Sequence, residues 1–158
     1  MKIYKAVDGW MGQGFDSNPC MVEFYKKLGV SNHGGYDYGI KVGTPIYWNT
    51  DLEAETLYNE VDSSGGMGCN VFCKFEDRAF KFRFWHLSKF GTDYQEKLRK
   101  GTLLGWSGNT GLSTGPHLHF DAKELVKSEN GKYKTSSGER YDLMFPNNGT
   151  FGTIRVVS

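Results

Sequence analysis

The chain is short of the features that would assign it to a specialised class. It has 4 prolines in 158 residues, three cysteines and a formal net charge of +1 from 19 basic and 18 acidic side chains. So even a charge balance leaves no polyelectrolyte footprint, and nucleic acid is not an expected partner. No apolar stretch reaches the length that crosses a bilayer, so no membrane partner is expected. The opening MKIYKAVDGWMGQGFDSNP has no apolar run of the secretory type, which predicts a protein made in the cytoplasm without a signal peptide. Cys20, Cys69 and Cys73 cannot all pair within one chain. If Cys69 and Cys73 share a strand, their Cα atoms lie roughly 13 Å apart, beyond disulfide reach. They read as reduced, partly buried thiols, and none is paired by spacing with a base and carboxylate that would make it a nucleophile.

What is abundant is glycine, 21 residues, and aromatic side chains, 15% of the chain. The aromatics fall in short alternating runs and the glycines between them, the pattern of a sheet with many tight turns. At this length one domain with a proper core is expected over residues 1–158, its centre at about 12–125 and a polar extension at about 127–158 packed on it. AFKFRFWHL sets Phe80, Phe82 and Phe84 against Lys81, Arg83 and Trp85, the period of a half-buried strand. YDYGI, TPIYWNT, LEAETLYNEV, CNVFCKFE, TLLGWSG and PHLHFDAKEL read as further strands. YDLMF and GTIRVV in the tail read as edge strands. A helix is predicted from about Pro19 to Leu28, with Ser17 or Asn18 as cap, Pro19 in the first turn and Gly29 at the exit. A second is predicted in TDYQEKLRKG, where Thr92 and Gln95 form a capping box and Gly101 an exit.

The four histidines lie in three short segments: His33 in HGGYD, His86 in FWHLS, and His117 with His119 in PHLHF. Taken singly, each is more ordinarily a surface, hydrogen-bonded or core residue. On extended chain, however, His33 and Asp37, four apart, point to one face, as do His117 and His119, two apart. Cα atoms of an HxH pair lie roughly 6.5–7 Å apart, so one imidazole can hold a metal while the other stands over its open position. One carboxylate and two imidazoles leave a fourth site for water, the pattern of catalytic rather than structural zinc.

The segments HGGYDYG, GTPIYW, GGMGCNV, FWHLS, KGTLLGWSGNTG and LSTGPHLHF, in that order, resemble the lysostaphin/LytM family of zinc endopeptidases that cut peptide cross-links of the bacterial cell wall. The resemblance spans roughly Gly12 to Lys123. It implies a mainly β fold, a single domain on a twisted antiparallel sheet with one or two short helices. It also implies Zn2+ held by His33, Asp37 and His119, with His117 and His86 as catalytic histidines. The family often has Tyr where Phe84 stands. Some members place a Tyr near the substrate oxyanion, for which Tyr25 and Tyr36 are the candidates here.

In that reading zinc acidifies its bound water to a pKa of roughly 7, and one of the two histidines takes the proton and returns it to the leaving amine. Gly105, Gly108, Gly111 and Gly115 are expected to supply positive φ and an open groove. Trp48, Trp85 and Trp106 are expected in the core rather than lining that groove. The implied substrate is the stem and cross-bridge peptides of peptidoglycan, and the implied protein a monomeric phage endolysin or virion-associated lysin acting on the cell wall. The competing reading is a non-catalytic zinc- or peptidoglycan-binding regulator on the same fold.

Overall fold

The computed structural model describes residues 2–4, 7, 10–13, 22–27, 34–50, 53–75, 78–135, 140–144 and 151–157. His33, Cys20 and the predicted helix ends at Pro19 and Leu28 lie outside them. One helix is described, α1 (Val22–Lys27). The strands are β1 (Lys2–Tyr4), β2 (Trp10–Gln13), β3 (Tyr36–Gly39), β4 (Pro45–Tyr47), β5 (Ala54–Asp62), β6 (Gly66–Phe75), β7 (Arg78–Phe90), β8 (Tyr94–Leu98), β9 (Leu103–Ser107), β10 (His117–Lys127), β11 (Tyr133–Thr135), β12 (Arg140–Met144) and β13 (Phe151–Val157).

They form one sheet of 13 strands whose long path runs β1-β13-β12-β10-β7-β6-β5-β8, with β3 beside β10 and β9 beside β7. Each ladder along that path is antiparallel. The fold is thus mainly β and antiparallel, as the alternating runs predict. The tail segments expected as edge strands, YDLMF and GTIRVV, form β12 and β13 and pair with each other, but neither is an edge: β12 lies between β13 and β10, and β13 between β12 and β1.

Residues 92–101 correct the second helix. Within them Tyr94–Leu98 form β8, with Tyr94 opposite Tyr58, Gln95 opposite Leu57 and Leu98 opposite Ala54. Leu98 and Leu57 are fully buried. The capping-box signal is local and worth about 1 kcal/mol, whereas pairing with β5 satisfies a row of backbone groups and buries a leucine. β8 ends at Leu98, and Gly101 follows at φ 90 in a turn closed by the Thr102 N–H donating to the Arg99 carbonyl at 3.0 Å.

One sheet face carries the core. Phe80, Phe82 and Phe84 on β7 are each at most 1% exposed, as is Phe120 on β10. Phe84 stacks on Phe120 with centroids 4.8 Å apart, and Trp48 meets Phe82 edge-on at 5.3 Å. Each such aromatic contributes ~1.5–3 kcal/mol by leaving water. Trp48 and Trp85 are buried, whereas Trp106 is half-buried under the Lys89 ammonium. Cys69 and Cys73 are free and buried on β6, and burial raises their thiols to about 12 and about 11. Such thiols stay protonated and inert.

Candidate active site

The opposite face of the sheet carries the chemistry, and strand register puts it there. On β10 the side chains of His117, His119 and Asp121 alternate with the buried Leu118 and Phe120. His119 lies opposite Asp37 of β3 on one side and Trp85 of β7 on the other, and Asp121 lies opposite Arg83. Residues paired across a ladder share a face, so two ladders collect these groups at one point.

His119 is held at both nitrogens. Its Nδ1 is 2.9 Å from Asp37 Oδ1 and its Nε2 3.0 Å from Asp121 Oδ2. Burial works against a charge on this ring, but hydrogen bonds to Asp121 and Asp37 outweigh it and raise the imidazole to about 9. The two carboxylates therefore favour the protonated form of this ring. Asp121 is 2% exposed and gripped by Arg83, whose Nε donates to Oδ1 at 2.7 Å while Nη2 donates to Oδ2. Burial alone would raise the Asp121 carboxyl; the Arg83 guanidinium and His119 hold it far below the usual carboxylate range instead.

Asp121, Arg83 and Gly35 were not picked out from the sequence. The signal for Asp121 was its place two residues beyond His119, on the same face of the strand. Gly35 explains part of HGGYD: a Cβ there would sit 2.8 Å from His119 Nε2 and 2.7 Å from the Phe120 carbonyl oxygen.

His117 turns Nδ1 to the Gly115 carbonyl at 2.8 Å, with the Ser113 hydroxyl at 3.1 Å, and its Nε2 lies 3.7 Å from Asp37 Oδ1. His86 is 8% exposed and turns Nδ1 to the Thr110 carbonyl at 2.7 Å. Its ring centroid is 4.5 Å from that of His117 and 6.2 Å from that of His119. A ring nitrogen facing a carbonyl carries the proton, so in each neutral ring Nε2 keeps the lone pair. Burial lowers His86 to about 4, so it is neutral at ordinary pH.

Four of the five predicted site residues, Asp37, His86, His117 and His119, thus come together; the fifth, His33, lies outside the described residues. Among the described residues no group of three metal-binding side chains is assembled. The donor set present nevertheless fits a divalent metal. Asp37 Oδ1 and His119 Nδ1 lie 2.9 Å apart, and a carboxylate behind His119 Nε2 is the usual support of a metal-bound imidazole.

The glycines divide. Gly111 takes φ 76, and its Cβ would lie 2.3 Å from Gly66 N, while Gly66 itself takes φ 68. Gly105 and Gly108 have no positive φ but lie against β7, where a Cβ would meet the Lys89 carbonyl oxygen and Ser88 N at 2.6 Å. Gly115 has neither feature, so of the four only Gly111 takes the expected positive φ. Tyr36 belongs to the core cluster.

This antiparallel sheet is the fold of a known class of peptidase. The model of peptidase family M23 matches residues 31–134, and the chain belongs to that family, in its lysostaphin/LytM branch. It is 35% identical over 95 residues to the glycyl-glycine endopeptidase ALE-1 of Staphylococcus capitis, covering 59% of this chain and 25% of that protein. It is 33% identical over 92 residues to the peptidoglycan DD-endopeptidase ShyA of Vibrio cholerae, covering 58% and 20%. The chain therefore spans a quarter or less of these relatives. Its fold matches the catalytic domain of the antimicrobial peptidase lysostaphin from Staphylococcus simulans, with TM-score 0.60 and 23% identity over 80% of this chain and 88% of that one.

Proposed function

We propose that this chain is a zinc-dependent endopeptidase that hydrolyses peptide cross-links of bacterial peptidoglycan, with His33, Asp37 and His119 as metal ligands and His86 and His117 as its acid–base pair. The observation that carries the reading is the approach of His86 to His117, 4.5 Å between ring centroids, beside the Asp37–His119 pair. Zinc at that pair would act as a Lewis acid on a peptide carbonyl and acidify water. The chain's own part is to hold two imidazole Nε2 atoms ready to accept a proton there and to return it to the leaving amine. Protonated, either histidine also stabilises the oxyanion that forms on the carbonyl. The proposed partners are the stem and cross-bridge peptides of the cell wall.

The test is release of new amino groups from purified sacculi, abolished by a chelator and restored by zinc. Mass analysis of fragments from glycine-bridged and directly cross-linked walls names the bond, because the two named relatives carry the two different activities at nearly equal identity. A chain that binds zinc and sacculi but releases no amino groups would be the regulator instead.

A further inference from the structure

His86 is on the wrong face for a regular strand. Continuing the alternation of Phe80, Phe82 and Phe84 would point it into the core. Instead, Met67 pairs with Leu87 while Cys69 pairs with Phe84, so Trp85 and His86 together oppose the single residue Gly68. Two residues opposite one is a β-bulge, which re-aims side chains. His86 sits there at φ 65, a left-handed conformation uncommon outside glycine. Its ring reaches His117 on the site face as a result.

Thr110, in the GNTG turn, holds this bulge open. Met67 and Leu87 are register partners across β6 and β7, yet the Met67 N–H donates to Thr110 Oγ1 at 3.0 Å, and Thr110 Oγ1 donates to the Leu87 carbonyl at 2.7 Å. One hydroxyl is inserted into the ladder and satisfies a backbone donor and acceptor. The carbonyl of the same residue accepts from His86 Nδ1 at 2.7 Å. The approach depends on glycine, since a Cβ on Gly66 would lie 2.5 Å from Thr110 Oγ1. Leu112 N–H donating to the Ser64 carbonyl at 2.8 Å ties the same two loops a second time.

We propose that Thr110 is a positioning residue: its hydroxyl wedges β6 from β7 so that His86 turns to the site, and its carbonyl fixes the Nδ1–H tautomer that leaves His86 Nε2 free to take a proton. This rests on the reading of His86 as an acid–base group, but part of its test does not. In the full chain, long-range 15N NMR, with His86 assigned from the His86→Asn variant, is expected to show His86 as the Nδ1–H tautomer. Thr110→Ser, which keeps the hydroxyl, retains that tautomer and a kcat within about threefold. Thr110→Val, equal in shape but without the hydroxyl, gives mixed tautomers and a kcat lower by about 10- to 100-fold, with KM little changed.

An Nε2–H tautomer in the wild type or in Thr110→Ser overturns the proposal, and these two readings stand even if the valine variant does not fold. A folded Thr110→Val with wild-type tautomer and kcat also overturns it, as does a serine variant as impaired as the valine one. Absence of turnover in the wild type would sink the proposed function while leaving the tautomer reading intact.

Discussion

His86 and His117 meet ring to ring, centroids 4.5 Å apart and planes tilted by 52°, and each turns Nδ1 to a backbone carbonyl. His117 Nε2 lies 3.7 Å from Asp37 Oδ1, and the His86 ring stands against the His117 ring beside it. Strands β7 and β10 share seven register pairs but carry the two histidines in different ways, His117 at the first position of its strand and His86 on a bulge.

If this pair moves the proton, removing one member leaves the metal site but not the chemistry. His86→Ala is expected to keep its zinc, measured as bound metal per chain, and to lose at least ~100-fold in turnover on sacculi. Adding His117→Ala should cost little more, because groups that act as one unit are not additive. Wild-type rates in His86→Ala would remove His86 from the mechanism.

The buried His86 also predicts how stability changes with pH. Burial lowers its pKa from 6.5 to about 4; His117 and His119 press in the same direction, and the Thr110 carbonyl and Asp37 oppose them. Between those two values the unfolded chain binds more protons than the folded one, so stability falls as the pH falls. The contribution is complete above about pH 6.5 and is lost on acidification toward 4. His86→Asn tolerates the left-handed backbone and does not titrate. In urea unfolding, wild-type stability relative to this variant should decline from pH 7 to pH 4.5. A difference that does not move with pH would contradict the burial effect.

The contrast between these two histidines shows what the sequence made legible. Alternation in PHLHF put His117 and His119 on one face correctly, because β10 is regular through both residues. The same rule applied to AFKFRFWHL sends His86 to the core with the phenylalanines. Only the order of motifs identified it, since the bulge depends on Thr110, 24 residues away in sequence and adjacent only after folding. Residues 92–101 failed for a related reason. Their helix signals are local, and the partner that makes them a strand, β5, is some 40 residues earlier. The Asp121–Arg83 support was equally hidden, since nothing in either segment announces that Asp121 and Arg83 face each other until the β7–β10 register is known.

That support predicts a graded loss of metal. If His119 holds zinc as proposed, the Asp121 carboxylate at its Nε2 leaves Nδ1 for the metal, and supports of this type are worth about 10- to 100-fold in affinity or activity. Asp121→Asn should weaken zinc binding by that factor in a chelator competition. Part of the lost activity should return at saturating zinc. Asp121 is also an ion-pair partner of Arg83, so its removal leaves a half-buried guanidinium and lowers stability as well. An unchanged zinc affinity in a folded Asp121→Asn would show that the carboxylate serves the fold alone.

The glycine-rich run before His117 separates residues the backbone requires from one it does not. At Gly111 a side chain meets two obstacles: φ is 76, and a Cβ would lie 2.3 Å from Gly66 N and 2.6 Å from the Ser64 carbonyl oxygen. Neither contact is the end of a flexible side chain, so the two loops must part. Gly111→Ala is expected to cost at least ~2 kcal/mol in denaturant unfolding, from backbone strain and the broken approach together. Because the same approach carries Thr110 to His86, turnover should fall further than the lost stability explains. Gly115→Ala has no atom within 4 Å of its Cβ and no positive φ, so its stability should stay within about 1 kcal/mol of wild type. Equal effects at the two positions would mean that the run acts through general flexibility, not through the Gly66–Gly111 contact.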